Sequence, residues 1–186
     1  MQIPSTLELK KQLHALLEQY ALKKGKFILS SGKESNYYLD GRIITLTPEG
    51  VYLIGNIMLD MVKDLHIDAF GGPTLGADPI VGAVAALSYI QHIPFTTFIV
   101  RKAAKEHGMG KQVEGPALKK GSRVVIVDDV ATTGKALLEA KDALDKLGVT
   151  IVKALVIVDR LESAKENLAK VNIPLESIFT IRDFGL

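Results

Sequence analysis

The chain has 186 residues, 47% of them hydrophobic and 24% charged, a balance that suits one folded domain with a sizeable core and argues against disorder. A formal charge of +2 is too small for a general nucleic-acid surface, and the absence of cysteine removes disulfides, thiolate catalysis and cysteine-based metal sites. No apolar run approaches the roughly 18–20 residues that span a bilayer, and the amino terminus lacks a basic-then-apolar leader, so a cytoplasmic protein with no membrane contact is expected.

In chain order, Ser5-Thr6-Leu7-Glu8 reads as a capping box for an amphipathic helix, with Leu7, Leu13, Leu16, Leu17, Tyr20 and Ala21 at helical spacing. Gly25 predicts its stop. Short β-like pieces follow around 27–29 and 36–40, then a helix opened by Thr47-Pro48 and running to about Asp64. Strand candidates at 69–71, 95–100, 124–127, 151–158 and 178–181 then alternate with helix candidates at about 79–91, 134–147 and 161–169. Near-continuous apolar strands alternating with helices predict an α/β fold whose mostly parallel sheet is covered on both faces.

One stretch breaks the rhythm. Residues 101–116 have neither period and carry Arg101, Lys102, Lys105, His107 and Lys111 with Gly108, Gly110 and Gly115. Loops this long in a compact domain are often lids, and glycines supply the backbone freedom that closure needs. The alternative is a solvated charged loop with no role.

The most informative segment is Arg123-Val124-Val125-Ile126-Val127-Asp128-Asp129-Val130-Ala131-Thr132-Thr133-Gly134-Lys135-Ala136. A buried strand ends in two carboxylates, which can accept hydrogen bonds from a sugar diol. The hydroxyls and glycine that follow open a helix, whose free N–H groups favour a phosphate. The pairing suggests a ligand with both a ribose and a phosphate. The alternative is an ordinary strand–turn–helix in which the acids and threonines only cap the helix. No Walker A pattern occurs.

This segment resembles the phosphoribosyl-diphosphate (PRPP) motif of the type I phosphoribosyltransferases. Two further segments, Phe27-Ile28-Leu29-Ser30-Ser31-Gly32-Lys33-Glu34-Ser35-Asn36-Tyr37-Tyr38-Leu39-Asp40 and Arg101-Lys102-Ala103-Ala104-Lys105-Glu106-His107-Gly108, resemble the orotate branch of that family. The resemblance runs from the first helix through Asp159-Arg160 and implies a type I phosphoribosyltransferase fold. A single domain over 1–186 is expected, with an amino-terminal helix and small hood over about 1–45 and a core over about 46–186.

The implied reaction is transfer of phosphoribose from PRPP to orotate with Mg2+ present, and no dedicated protein metal ligands are expected. By position, Asp128 and Asp129 would hold the ribose hydroxyls. Val130, Ala131, Thr132, Thr133, Gly134, Lys135 and Ala136 would form the 5′-phosphate turn, and Arg101, Lys102, Lys105 and His107 would bind pyrophosphate. Lys102, Lys105, His107 and the two aspartates are the catalytic candidates; Thr132, Arg160 and Tyr38 are assigned to orotate. The resemblance also implies a homodimer in which Lys102 serves the neighbouring site. A glycine-rich turn at Gly71-Gly72-Pro73-Thr74-Leu75-Gly76-Ala77 would meet pyrophosphate through its backbone. The chain departs from relatives that carry lysine at Ser30 and Gly76, glycine at Lys135 and a hydroxyl at Ala136, so its phosphate contacts should lean on the backbone. The alternatives are a phosphoribosyltransferase for another nucleobase and a PRPP-sensing regulator without transfer activity.

Overall fold

The computed structural model describes residues 3–28, 34–93, 95–103 and 111–186. The first helix, α1 (Thr6–Leu16), starts at Ser5, whose hydroxyl accepts a hydrogen bond from Glu8 N at 3.3 Å. Its apolar stripe of Leu9, Leu13 and Leu17 is buried in the core. Gly25 is not its stop. The helix passes through a π-helical turn (Leu17–Ala21) and gives way at once to β1 (Leu22–Ile28). The strand β2 (Glu34–Leu39) decides this boundary: Leu22 pairs with Leu39, and Asp40 N donates to Ala21 O at 3.2 Å. Gly25, with φ +154, lies inside the strand, next to an irregularity in register between Lys24 and Phe27. This antiparallel hairpin is the hood.

A short helix, α2 (Arg42–Thr45), leads to α3 (Pro48–Val62), where proline in the first turn and the Thr47 hydroxyl, accepting from Gly50 N at 3.1 Å, match the predicted start. The core then alternates as expected: β3 (Ala69–Pro73), α4 (Ala77–Ile90), β4 (Thr96–Val100), β5 (Val113–Glu114), β6 (Arg123–Ala131), α5 (Lys135–Asp145), β7 (Thr150–Asp159), α6 (Ala164–Ala169) and β8 (Leu175–Thr180). The six strands lie in the order β5-β4-β3-β6-β7-β8, with every pairing parallel except β4 with β5.

Strand alternation divides the core. Val125 and Val127 of β6 pack on the side of α1, α3 and α4, whereas Val124 and Ile126 pack on the side of α5 and α6. Burial on both faces explains why these strands read as unbroken apolar runs. Several boundaries differ from expectation, β8 for one starting at Leu175 and ending at Thr180. The strand β6 continues through both aspartates because β7 keeps pairing beside it, Asp128 opposite Val156 and Ala131 opposite Asp159. The two-residue β5 shortens the 101–116 loop and is too brief to leave a periodic signal. The helix α6 starts late because Leu161 (φ 57) and Ser163 (φ 92) adopt left-handed backbone before it.

Candidate active site

Consecutive strand residues face opposite sides, so the two acids divide the work. Asp128 lies on the α5 side and lines a cavity of about 360 Å3. Asp129 lies toward the hood, where a Cβ built on Gly41 would stand 2.9 Å from its Cβ. Each carboxylate accepts the next backbone N–H: Asp129 N donates to Asp128 Oδ1 at 2.9 Å, and Val130 N to Asp129 Oδ1 at 2.8 Å. Burial pushes the Asp128 carboxyl well up, and the charges of Asp129 and Asp78 add to this. Burial also raises Asp129, opposed by its backbone hydrogen bond and by the positive charge of Arg42. Two acids kept close and poorly solvated are suited to accept hydrogen bonds from a ligand that displaces water.

After β6 the chain turns through Thr132 and Thr133 to Gly134, whose φ of +74 suits glycine. Gly134 caps α5 with no side-chain hydrogen bond. Neither aspartate is a cap, since both lie within the strand. Among the described residues the first-turn N–H groups therefore have no side-chain acceptor, the condition for an anion at a helix start. They border the same cavity as Asp128, Val130, Ala131, Thr132, Gly134, Lys135 and Ala136, with Lys102 on its rim. Lys135 and Glu139 stand 3.7 Å apart and are both exposed.

The turn between β3 and α4 closes another side. A Cβ on Gly76 would stand 2.2 Å from Asp128 Oδ1 and 2.6 Å from Asp129 Oδ1. A side chain at 76 would have to push these carboxylate oxygens aside; with glycine the backbone of the turn approaches the acids directly. Pro73 and Thr74 share a small cavity with Arg101, Lys102 and Ala136, so the start of the basic loop, the glycine-rich turn and the turn after β6 converge. Arg101 is paired with Glu114 at 3.4 Å. Lys105 and His107, with Ser30 in the hood, lie outside the described residues.

Arg160 follows β7 and is 9% exposed. Its N–H donates to Ala131 O at 2.9 Å, which places it beside the turn after β6. Its Nε donates to the Tyr37 hydroxyl at 3.0 Å, its Cζ lies 4.7 Å from the centre of the Tyr37 ring, and its Nη2 stands 2.9 Å from Glu162 Oε1. Tyr37 also packs on the core, whereas Tyr38 is exposed and tilts against Phe27 at 5.8 Å. The hood residue that touches Arg160 is thus Tyr37; no contact between Tyr38 and Arg160 is found. Sequence reading also missed Asp40-Gly41-Arg42. Asp40 and Arg42 form a two-point ion pair at 2.8 and 2.9 Å close to Asp129. Only the Asp-Gly-Arg string after the tyrosines hinted at it.

Oxygen donors dominate the site. Among the described residues no group of three or more His, Cys, Asp or Glu forms a metal cage. Among the described residues Asp78 Oδ1, on the first turn of α4, is buried without a hydrogen-bond partner although its residue is partly exposed. Carboxylate oxygens at an open site fit a hard cation that takes its other ligands from water and phosphate, the usual habit of Mg2+.

A parallel sheet with paired acids and an uncapped helix start at its carboxyl edge, under a small hairpin, defines the chain as an enzyme of the type I phosphoribosyltransferase class. The chain belongs to the orotate phosphoribosyltransferase family. The Phosphoribosyl transferase domain family matches residues 44–185. The chain is 45% identical over 180 residues to the orotate phosphoribosyltransferase of Rhodopirellula baltica, covering 94% of this chain and 93% of that one. The orotate phosphoribosyltransferase of Mycobacterium tuberculosis H37Rv, solved with Fe(III) dicitrate, superposes with a TM-score of 0.80 at 35% identity, covering 96% of this chain and 99% of that one. The same enzyme solved in complex with PRPP gives 0.76 at 31% identity over the same shares.

Proposed function

We propose that the chain transfers the phosphoribosyl group of PRPP to N1 of orotate, giving orotidine 5′-monophosphate and pyrophosphate in pyrimidine nucleotide synthesis. The observation that carries this reading is the cavity shared by Asp128, the uncapped start of α5 and Lys102, with the buried Arg160 beside it. A phosphate fits the helix start, a ribose diol fits the acids, and a flat anionic acceptor fits a guanidinium.

As the bond from C1 of the ribose to the pyrophosphate oxygen breaks, positive charge grows on the sugar and negative charge on the leaving group. Asp128 and Asp129 hold the ribose hydroxyls and place their own negative charge beneath the cationic sugar. The turn from Thr132 to Ala136 anchors the 5′-phosphate through backbone N–H groups. Arg101, Lys102, Lys105 and His107 receive the departing pyrophosphate, and the imidazole of His107 is suited to hold a proton there. Thr132, Arg160 and Tyr38 hold the acceptor. Asp78 and Asp128 would face a Mg2+ carried with PRPP, which would supply charge neutralisation for the leaving group. Closure of the basic loop excludes water, which would otherwise compete as nucleophile.

The enzyme is proposed to act as a homodimer in which Lys102 serves the neighbouring site. Lys102 also borders the cavity of its own chain, which favours a second reading in which it acts there. Mixing Lys102→Ala with Asp128→Asn protein decides between them. Shared sites regain activity in the mixed dimer through one site that has both wild-type groups; a lysine serving its own chain leaves no such site. A substrate as charged as PRPP does not cross a bilayer unaided, which supports a cytoplasmic setting.

The substrate assignment is tested by offering purified protein PRPP and Mg2+ with orotate, uracil, hypoxanthine or adenine and following loss of each base. Orotate alone should be consumed. Consumption of another base with orotate untouched would overturn the assignment.

A further inference from the structure

Arg160 is held at more points than a binding arginine requires. Its backbone N–H is tied to Ala131 O at 2.9 Å. The turn that follows is fixed by Leu161 N donating to Asp159 Oδ1 at 2.8 Å. Its side chain is then gripped from two directions, with Nε on the Tyr37 hydroxyl and Nη2 on Glu162. The ring of Tyr37 adds a cation–π contact at 4.7 Å. Among the described residues Nη1 has no hydrogen-bond partner.

We infer that Tyr37 is a positioning residue for the acceptor: from the hood it fixes the plane of the Arg160 guanidinium so that Nη1 is the donor left for the acceptor's oxygen. This rests on the assignment of Arg160 to the acceptor. A guanidinium free to rotate would spend much of its time in other orientations, and a donor fixed before binding saves that entropy. The phenol also restricts what the arginine accepts. With Nε engaged, a carboxylate cannot take the Nε–Nη2 edge without displacing both protein partners, so it must approach through Nη1. Because Tyr37 belongs to β2 and Arg160 to the end of β7, the contact joins the hood to the sheet edge. A displaced hood therefore weakens the acceptor site rather than the phosphate turn.

The test is steady-state kinetics on Tyr37→Phe, which keeps the ring and its packing while removing the hydroxyl. The KM for orotate should rise roughly tenfold, as for loss of a hydrogen bond to a charged group, with the KM for PRPP within about twofold. Tyr37→Leu, which also removes the ring, should raise the acceptor KM further. In an Arg160→Lys background the hydroxyl should no longer matter, so adding Tyr37→Phe changes the acceptor KM less than about twofold. An unchanged acceptor KM in Tyr37→Phe, a PRPP KM that rises in step with it, or full additivity with Arg160→Lys would overturn the inference. If the wild type consumes a base other than orotate, the substrate assignment fails while the same ratios, measured with that base, still decide the role of Tyr37. A wild type that consumes no base overturns both.

Discussion

Asp128 is the residue at which stability and function oppose one another. Burial and two neighbouring carboxylates hold its pKa well above the ordinary 3.8, and each unit of such a shift is worth about 1.4 kcal/mol. For an acid whose folded pKa is raised, the stabilising contribution is full below the unfolded value and is lost as pH rises through the folded value. Asp128→Asn should therefore melt above the wild type at about pH 8, with the gap closing as pH falls toward about 4. Equal melting temperatures at pH 8 would contradict the reading. The same substitution should cut turnover by roughly 100-fold or more if Asp128 meets the charge of the transition state. Lys102→Ala should lower kcat on a similar scale with melting unchanged, because an exposed lysine contributes to transition-state charge and little to packing. A near wild-type rate would remove Lys102 from the mechanism.

At the scale of elements, the approach of β3 and its turn to β6 is the sharpest constraint. A Cβ on Gly72 would meet the carbonyl of Val127 at 2.0 Å, a backbone atom of the strand that carries the acids. Gly72→Ala should destabilise by about 1–3 kcal/mol and also raise the KM for PRPP, since the strand must shift to make room. Gly82, in α4, has nothing within 4 Å of its Cβ position, so Gly82→Ala should raise stability by about 0.5–1 kcal/mol with kinetics unchanged. Thermal melts and PRPP kinetics on the pair check both. The elements themselves were largely legible: Thr47-Pro48 marks the start of α3, and the apolar run at 124–127 marks a strand covered on both faces. Less legible were ends set by a partner. Gly25 looked like a helix stop, but pairing of Leu22 with Leu39 ends the helix four residues earlier. The strand β5 is visible only because β4 pairs with it.

For the whole molecule, the site exists only where five separated segments meet: the hood, the turn after β3, the start of the basic loop, the turn after β6 and the end of β7. A ligand that bridges them should stabilise the assembled fold. PRPP with Mg2+ at about 100 times its dissociation constant should add roughly 2.7 kcal/mol, seen as a higher Tm that Asp128→Asn diminishes. No change in Tm with saturating PRPP would contradict the proposed site. The sequence by itself determined the parallel α/β core and the family, because these are written in contiguous stretches whose period and local chemistry are set by neighbours along the chain. Tertiary structure alone decided that Asp129 faces the hood at Gly41 while Asp128 faces the cavity at the start of α5, that the backbone at Gly76 comes up against both carboxylates, and that Tyr37 holds Arg160. The last of these joins residues 123 positions apart. Such contacts follow from which strands become neighbours and how far their pairing extends, and local periodicity carries no record of either.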